Sequence, residues 1–245
     1  MNIINESPIH IYFGDNTDNI FPTDIKKTVS DFNSIKKKLK LKNLILLKQV
    51  HGTKSFCVDK QFLKENSDYF SKDGDILLTN FKNVGICVLT ADCVPIVLFD
   101  KKNNSCAVVH AGWSGTRFRA VQKACAKMQK IYKSNVNDII AYIGPSARSC
   151  CYEVKADFLK KFENFLFMSR SLGVGLYKDQ IFIRRKNKIY FDVSLCNELQ
   201  LRESGVLEKN IVKCHNHCTI CTTRFFSYRR QGKNAGRQVT IAFVS

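Results

Sequence analysis

The apolar residues of this chain fall mainly into short runs, many of which lack a polar residue at every second position. Such uninterrupted runs are typical of strands in a sheet that is covered on both faces. We therefore predict strands at Ile9–Phe13, Leu44–Val50, Ile76–Thr79, Ile86–Leu89, Val94–Phe99, Ala107–His110, Ile139–Ile143, Ile181–Arg184, Lys188–Phe191, Ile211–Cys214 and Val239–Val244.

Helical spacing, with apolar residues three and four positions apart, marks a second set of segments. These segments are residues 24–40, 116–132, 154–165 and 194–204. Strands and helices intermix, and no internal repeat or linker rich in Pro, Gly and Ser divides the chain. We therefore expect one α+β domain over residues 1–245, built as mixed β-sheets flanked by helices.

The formal net charge of +18 is high, but the lysines are spread over many segments rather than gathered in a basic tail. We interpret the charge mainly as surface solvation, with a site for a polyanion as the alternative. The apolar runs are shorter than the roughly 18 to 20 residues that a membrane span needs, and the N-terminal residues do not resemble a secretory signal. With several of its eleven cysteines inside apolar runs, the chain is expected to be a reduced, cytoplasmic protein without a membrane partner.

Three reactive side chains stand at the ends of predicted strands: His51, Cys93 and His110. Two imidazoles and one thiolate, with a fourth position for water, form the ligand pattern of catalytic zinc. The three residues are 42 and 17 positions apart and show no local metal-binding spacing. On spacing alone, the simpler interpretation is that the histidines are hydrogen-bonded strand ends and that Cys93 fills the core.

A second group of possible ligands lies in residues 215–221, which read HNHCTIC. Cys218 and Cys221 have the spacing of a zinc pair, but the chain contains no second C-x-x-C pair. Four ligands from one heptapeptide would also be cramped. We therefore expect this segment to line the main pocket rather than to form a separate structural zinc site.

The third feature is the FFSYRR segment, residues 225–230, which is followed by Gly232, Gly236 and Arg237. Paired arginines beside aromatic rings can bind a phosphate and stack on a base. The alternative is a strand edge with solvated arginines.

Taken in order, the motifs QVHG, ADCVPI, HAGW, IGP–YEV, CT and FFSYRR–GRQ resemble those of the bacterial laccase-domain family. Members of that family are described variously as multicopper polyphenol oxidases, purine nucleoside phosphorylases and peptidoglycan editing factors. The resemblance runs from about Gln49 to the C-terminus. It is specific as a set, although no single motif would suffice.

The resemblance implies that His51, Cys93 and His110 hold a metal at an open catalytic site. It implies zinc, with copper as the alternative, because five histidines are too few for a multicopper oxidase. It further implies a fold similar to that of cysteine hydrolases. The implied activity is phosphorolysis of adenosine, inosine and methylthioadenosine, with adenosine deamination at the same site, so that purine nucleosides and phosphate would be the partners.

The implied chemistry suggests roles for further residues. In deamination a metal-activated water would attack C6 of adenine, and in phosphorolysis phosphate would attack C1′ of the ribose as the glycosidic bond breaks through an oxocarbenium-like state. The candidates are Asp75 and Asp92 for acid–base or metal-orienting work, Arg229 for the reaction itself, and Arg148, Arg230 and Phe226 for phosphate or substrate binding.

One departure from the family pattern is visible. The family commonly reads HAGWRG, whereas Ser114 stands here in place of the arginine. If that arginine binds phosphate or substrate, Arg117 or Arg119 would have to take over the contact.

Two other functions are compatible with the sequence. Cys93 could be a nucleophile with His110 as its base, in a hydrolase that edits peptidoglycan precursors. A basic nucleic-acid-binding protein would account for the charge of +18 and the aromatic–arginine segment, but we rank it lower because no nucleic-acid-binding motif is recognisable. The sequence leaves the oligomeric state open.

Overall fold

The computed structural model describes residues 2–65, 69–162, 178–213 and 215–245. Its strands are β1 (Asn2–Glu6), β2 (Ile9–Phe13), β3 (Asn43–Leu46), β4 (Ser55–Cys57), β5 (Ile76–Thr79), β6 (Val84–Thr90), β7 (Val94–Asp100), β8 (Ser105–Ala111), β9 (Ile139–Ile143), β10 (Glu153–Val154), β11 (Phe182–Arg185), β12 (Lys188–Phe191), β13 (Ile211–Val212) and β14 (Gln238–Val244). Its helices are α1 (Ile25–Lys38), α2 (Lys60–Glu65), α3 (Trp113–Arg117), α4 (Ala120–Tyr132), α5 (Ala156–Lys160), α6 (Lys178–Ile181), α7 (Val193–Glu203) and α8 (Tyr228–Gln231). Short 3₁₀ turns occupy Asn16–Asp18, Val136–Asp138, Glu208–Asn210 and Gly232–Asn234.

The strands form three sheets. A five-stranded sheet has the order β1-β2-β14-β6-β3, a six-stranded sheet has the order β13-β9-β7-β8-β5-β4, and a small sheet has the order β10-β12-β11. Both large sheets are mixed, because the β3–β6, β4–β5 and β13–β9 pairs are parallel while the other pairs are antiparallel. The prediction of an α+β fold with mixed sheets flanked by helices is confirmed.

The two large sheets stack face to face, with helices on their outer faces. Along β7, Val97 and Phe99 pack in the core that the six-stranded sheet shares with the five-stranded sheet. Ile96 and Leu98 point the other way, into the core that includes α4 and α7. The outer face of the five-stranded sheet packs against Phe32 of α1. Since both faces of these strands are covered, their sequences read as uninterrupted apolar runs.

The structure differs from the predicted elements where a local backbone feature overrides the apolar pattern. The helix predicted over residues 116–132 is instead two helices, α3 and α4, because Arg119 has a φ of 61° and leaves the helical region. Of the helix predicted over 154–165, the structure forms α5, and residues 163–165 lie outside the described residues. No helix in the described part of the chain has the length and apolar character that crossing a membrane requires.

Candidate metal centre and active-site cavity

The structure brings His51, Cys93 and His110 together although they are distant in sequence. Their potential ligand atoms all lie within 4.8 Å of one another. Cys93 immediately precedes β7 and His110 lies near the end of β8, and these two antiparallel strands pair with Pro95 opposite His110. Because side chains alternate along a strand, positions 93 and 95 belong to the same face as residue 110. Strand pairing, rather than the interval of 17 residues, therefore joins the thiol to the imidazole.

His51 reaches the same place from the loop that follows β3. Its φ of 58° lies in the left-handed region, so the chain turns sharply at this residue. Gln49 holds the loop, because its amide donates to the carbonyl of Leu89 at 2.8 Å and accepts from the N–H of Leu89 at 2.7 Å. This side chain continues the β3–β6 pairing where the backbone of β3 has ended. The ring of His51 then lies 4.9 Å from that of His110, at an interplanar angle of 75°.

Asp75 connects the two histidines. Its carboxylate lies 2.8 Å from Nδ1 of His110 and accepts the backbone N–H groups of His51 at 2.9 Å and Gly52 at 2.7 Å. Burial raises the pKa of Asp75, but the hydrogen bond and charge of His110 and the two N–H groups outweigh it, so the pKa is lowered and the carboxylate stays ionised. Because Nδ1 of His110 is engaged, Nε2 is the atom left for a metal.

The surroundings of Cys93 and His110 favour a thiolate beside an imidazolium in the metal-free chain. Burial raises the pKa of Cys93, but the charges and hydrogen bonds of His110 and His51 outweigh burial and bring it to about 6. Burial likewise lowers the pKa of His110, and Cys93 and Asp75 outweigh it and raise the pKa to about 9. The thiolate is the form of Cys93 that binds metal, whereas His110 must be neutral to do so, and a metal bound here would therefore displace the proton of His110.

The donor set fits zinc. Two imidazole nitrogens and one thiolate would leave a fourth ligand position for water or substrate, and this is the donor set of catalytic zinc. A blue-copper site would add a weak axial ligand such as methionine. Within the described residues, Met128 is 0% exposed in the core beneath α4 and does not line the cavity.

Gly112 of the HAGW motif is required for space rather than for backbone freedom. A Cβ atom at this position would lie 2.8 Å from Sγ of Cys93 and 3.2 Å from Cδ2 of His51. Its φ of −74° is accessible to any residue. The glycine therefore allows the chain after β8 to pass against the metal ligands.

The three candidate ligands open into a cavity of about 890 Å³. This volume lies within the range of about 300 to 1,000 Å³ that is usual for small-molecule sites. Its described walls are largely apolar and aromatic, and three cationic side chains also line it. The lining residues include Leu47, Phe70, Leu89, Trp113, Tyr152, Tyr228, Lys48, Arg229 and Arg237.

Two arginines place positive charge in this cavity. The guanidinium of Arg229 lies over the ring of Tyr152, 4.9 Å from its centroid, and donates to the carbonyl of Glu153 at 2.9 Å. Arg237 donates through Nη1 to the carbonyls of Ala235 and Gly236 at 2.6 and 2.8 Å. Sequence reasoning had assigned no role to Arg237, because the GRQ motif does not indicate which way its side chain points.

Asp92 also lines the cavity, and its carboxylate is surrounded by donors. It accepts the hydroxyl of Thr219 at 2.7 Å, the hydroxyl of Ser227 at 3.1 Å and the backbone N–H of Arg229 at 2.6 Å. A carboxylate held in this way positions the segments that carry its donors. The contacts favour positioning over proton transfer for Asp92.

Three of the residues predicted to bind phosphate or substrate do not line the cavity: Arg148, Arg230 and Phe226. Arg148 pairs with the buried carboxylate of Asp192 at 3.1 and 3.2 Å. The guanidinium of Arg230 donates to the carbonyls of Thr219, Ile220 and Phe225, and Phe226 is 8% exposed. The sequence predicts phosphate binding for Arg148 and Arg230. In the structure their guanidinium groups instead bind backbone carbonyls and the carboxylate of Asp192, which caps a helix.

Neither of the two arginines that the sequence offers near Ser114 reaches the active-site cavity. Ser114, Arg117 and Arg119 lie outside the cavity lining. Arg119 is paired with Glu203 at 3.0 Å, and the guanidinium of Arg117 lies over the ring of Phe118, 5.0 Å from its centroid. Neither arginine takes the place of the one that the family carries at position 114.

Comparison with known proteins places these features in a family. The chain is 36% identical over 213 residues to a purine nucleoside phosphorylase of Clostridium acetobutylicum, which covers 86% of this chain and 81% of that protein. It is 34% identical over 204 residues to adenosine deaminase RL5 of an unknown prokaryotic organism, which covers 82% of this chain and 74% of that protein. The fold matches the crystal structure of the hypothetical protein YfiH of Bacillus licheniformis with a TM-score of 0.82 and 22% identity over 99% of both chains. The family model described as multi-copper polyphenol oxidoreductase laccase matches residues 19–245, and the chain therefore belongs to that family.

Proposed function

We propose that this chain is a zinc-dependent purine nucleoside phosphorylase that also deaminates adenosine. The observation that carries the proposal is the convergence of His51, Cys93 and His110 within 4.8 Å at the wall of an aromatic cavity. The names of the two similar proteins, a purine nucleoside phosphorylase and an adenosine deaminase, support the same class of substrate.

The metal would supply Lewis-acid and water-activating chemistry at the three ligands. The chain's own residues prepare the site for it. Asp75 fixes the orientation of His110 and the backbone at His51 through the hydrogen bonds described above. Cys93 provides the negative charge, since its pKa of about 6 keeps the thiol ionised at neutral pH.

The aromatic wall suits a purine base. Trp113, Tyr152 and Tyr228 line the cavity together with the candidate ligands. Aromatic side chains stack on bases and bury much apolar area. A nucleoside whose base lies among these rings would bring its ribose and the C6 substituent within the same cavity as the metal ligands.

The cationic side of the cavity suits phosphate. Arg229 and Arg237 both line it, and a guanidinium binds the oxygens of phosphate with two parallel hydrogen bonds. Nη1 of each arginine is held by backbone carbonyls, which restricts the position of the guanidinium group. We assign phosphate to this pair rather than to Arg148 and Arg230.

The direct test is to incubate the purified protein with inosine and inorganic phosphate and to analyse the products. Formation of hypoxanthine and ribose 1-phosphate, dependent on phosphate, is the expected result, and adenosine should yield adenine and inosine. His51→Ala should abolish both reactions, whereas His10→Ala, which alters a histidine stacked on Phe243, should leave them unchanged. Failure of zinc-loaded protein to convert either inosine or adenosine would exclude the proposal.

A second candidate, a cysteine hydrolase, is favoured by one observation. The sulfur of Cys93 lies within 4.8 Å of a ring nitrogen of His110, and the lowered pKa of Cys93 and the raised pKa of His110 are those expected of the nucleophile and base of a cysteine hydrolase. The two functions make opposite predictions for the metal, because a cation bound by Cys93 removes the nucleophile. Hydrolysis of a peptidoglycan precursor that increases when the metal is removed would favour the hydrolase. Phosphorolysis of inosine that is lost when the metal is removed would favour the phosphorylase.

The nucleic-acid-binding alternative has less support from the structure than from the sequence. Both phenylalanines of the FFSYRR segment are buried, and the guanidinium of Arg230 donates to backbone carbonyls, although Tyr228, Arg229 and Arg230 are exposed residues. The net charge of +18 does not by itself indicate a partner.

A further inference from the structure

Four cysteines meet at a second place in the chain. Cys150, Cys151, Cys218 and Cys221 each offer a sulfur atom, and the four atoms lie within 4.8 Å of one another. The sulfur atoms of Cys150 and Cys221 are 4.0 Å apart. No described residue from 215 to 221 lines the active-site cavity. The expectation that this segment lines the main pocket is therefore wrong, and the partner pair that the sequence seemed to lack is the adjacent Cys150–Cys151.

Hydrogen bonds outside the cluster hold the two cysteine-bearing segments side by side. The N–H of Ser146 donates to the carbonyl of His217, and the N–H of Thr219 donates to the carbonyl of Ser146, both at 3.0 Å. Arg148 donates to the carbonyl of Asn216 at 3.1 Å. The four thiols therefore converge on a backbone that is already positioned without any bond between them.

From this geometry we infer that Cys150, Cys151, Cys218 and Cys221 form a closed structural zinc site, distinct from the candidate catalytic centre. Structural zinc takes four ligands, and four thiolates are among its common sets. The chain then binds two zinc ions with different roles.

The distances fit tetrahedral zinc. With Zn–S bonds of about 2.3 Å, two sulfur atoms of a tetrahedral site are about 3.8 Å apart. The 4.0 Å between Cys150 and Cys221 is close to that value, and the largest separation in the cluster, 4.8 Å or less, requires only small side-chain movements. A disulfide would instead need the two sulfur atoms about 2.05 Å apart.

The surrounding groups are suited to the charge of such a site. Four thiolates and one Zn²⁺ carry a net charge of −2, which nearby cations and N–H donors can offset. The backbone N–H groups of Cys221, Ile220 and Arg148 point at the sulfur of Cys218. The guanidinium of Arg185 donates to the carbonyls of Ser149 and Cys150, so that a cation lies beside one cysteine segment.

The second site is connected to the first by one residue. Thr219 lies between Cys218 and Cys221, and its hydroxyl donates to Asp92, the neighbour of Cys93. Its carbonyl accepts from Arg230 at 2.9 Å. Zinc at the four cysteines would fix Thr219, and through it the turn that carries Cys93, without contacting substrate.

The test counts zinc in variants that lack the first site. After dialysis against metal-free reducing buffer, wild-type protein should hold two zinc ions per chain by mass spectrometry of the metal, and Cys93→Ser should hold one. The double variant C93S/C221S should hold none, whereas the matched double variant C93S/C57S, which removes a cysteine hydrogen-bonded to Tyr132, should keep one. This count does not depend on turnover, so the second site and the proposed activity can fail separately.

X-ray absorption at the zinc edge reports the number and type of zinc ligands, and this measurement does not require a Cys221 variant. The zinc in C93S should show four sulfur ligands at about 2.3 Å, and zinc in the wild type an average of about 2.5 sulfur ligands, since one site has four and the other has one. Absence of zinc from folded C93S, nitrogen or oxygen ligands in its spectrum, or a Cys150–Cys221 disulfide in peptides alkylated without reduction would each overturn the inference.

Discussion

Nδ1 of His110 lies 2.8 Å from Oδ1 of Asp75, and both side chains are almost completely excluded from solvent. The pair determines which nitrogen of His110 remains for a metal, and the same carboxylate binds the backbone at His51. A single aspartate thus positions two of the three candidate metal ligands without belonging to the candidate set itself. Ligand-orienting groups of this kind typically change metal affinity by 10 to 100-fold when they are removed.

Replacing Asp75 with asparagine should therefore weaken zinc binding at the triad formed by His51, Cys93 and His110 by about 10 to 100-fold. The amide keeps the size of the side chain but has one acceptor oxygen for three donors. A competition titration with a chromophoric chelator measures the change. Asp73→Asn is the matched control. Asp73 is exposed, and its carboxylate forms only a long ion pair with Nζ of Lys48, at 3.8 Å. Equal zinc affinity in Asp75→Asn and wild type would show that the pair does not orient the ligand.

Gly112→Ala should disturb the site without changing any ligand. The new methyl group would lie 2.8 Å from Sγ of Cys93, closer than the two atoms can approach. We expect turnover and zinc affinity to fall at least about tenfold, because misplacement by a fraction of an ångström is costly at a catalytic centre. Ser114→Ala, two residues along the same turn, is the control. A fully active Gly112→Ala protein would mean that the chain can shift here at no cost.

In metal-free protein, alkylation of Cys93 by iodoacetamide should follow a titration with a midpoint near pH 6. The thiolate is the reactive form, so the rate rises with pH through the pKa and is constant above it. Cys57, whose pKa is raised by burial, should react appreciably only at alkaline pH in the same sample. Zinc should protect Cys93. A midpoint near the ordinary thiol value of about 8.5 would contradict the ion pair with His110.

Arg237→Ala should raise the KM for phosphate while leaving the KM for inosine nearly unchanged. Loss of a charged hydrogen-bond donor costs about 1.5 to 3 kcal/mol, which corresponds to about 10 to 100-fold. Arg237→Lys should recover only part of the affinity, because lysine cannot form the planar pair of hydrogen bonds. Arg184→Ala, which changes an exposed arginine of β11, serves as the control. Equal increases in the KM for phosphate and the KM for inosine would contradict the assignment of Arg237 to phosphate binding.

Asp18 should make stability depend on pH in an unusual direction. Burial is the main cause that raises its pKa from 3.8 to about 6, although hydrogen bonds from Tyr12 and Val239 oppose it. Because the folded pKa exceeds the unfolded one, the contribution is complete below about pH 4 and is lost as pH rises through 6. Relative to Asp18→Asn, wild-type protein should lose on the order of 2 kcal/mol of unfolding free energy between pH 4 and 7 in urea titrations. A constant difference between the two proteins would contradict this assignment.

The strands were largely predictable because their burial on both faces leaves a local signature. β7 and β8, for example, consist entirely of buried residues and read as continuous apolar runs. β4 and β10 were missed because they are only three and two residues long. β1 was missed because Asn2, Asn5 and Glu6 interrupt its apolar pattern. The break between α3 and α4 at Arg119 could not be predicted, because the helical spacing of apolar residues continues across it.

The candidate site was predictable only in part, because residue type does not indicate the partner. His51, Cys93 and His110 were identified from the order of motifs, and strand pairing then accounts for their meeting. Arg148 and Arg230 have the chemistry of phosphate ligands, yet long-range contacts with Asp192 and with backbone carbonyls use their charge. The second cysteine pair was missed for the same reason, because the bridge between Ser146 and Cys218 joins segments that lie far apart in the chain.

Titration of metal-free protein with zinc shows whether zinc at His51, Cys93 and His110 is required for nucleoside phosphorolysis. Phosphorolysis of inosine and zinc bound per chain are measured in the same samples, for wild type and for Cys93→Ser. We predict that wild-type activity returns in proportion to zinc bound at the triad, and that Cys93→Ser binds one zinc fewer and stays inactive. Full phosphorolysis by metal-free wild type, or by Cys93→Ser, would contradict this requirement.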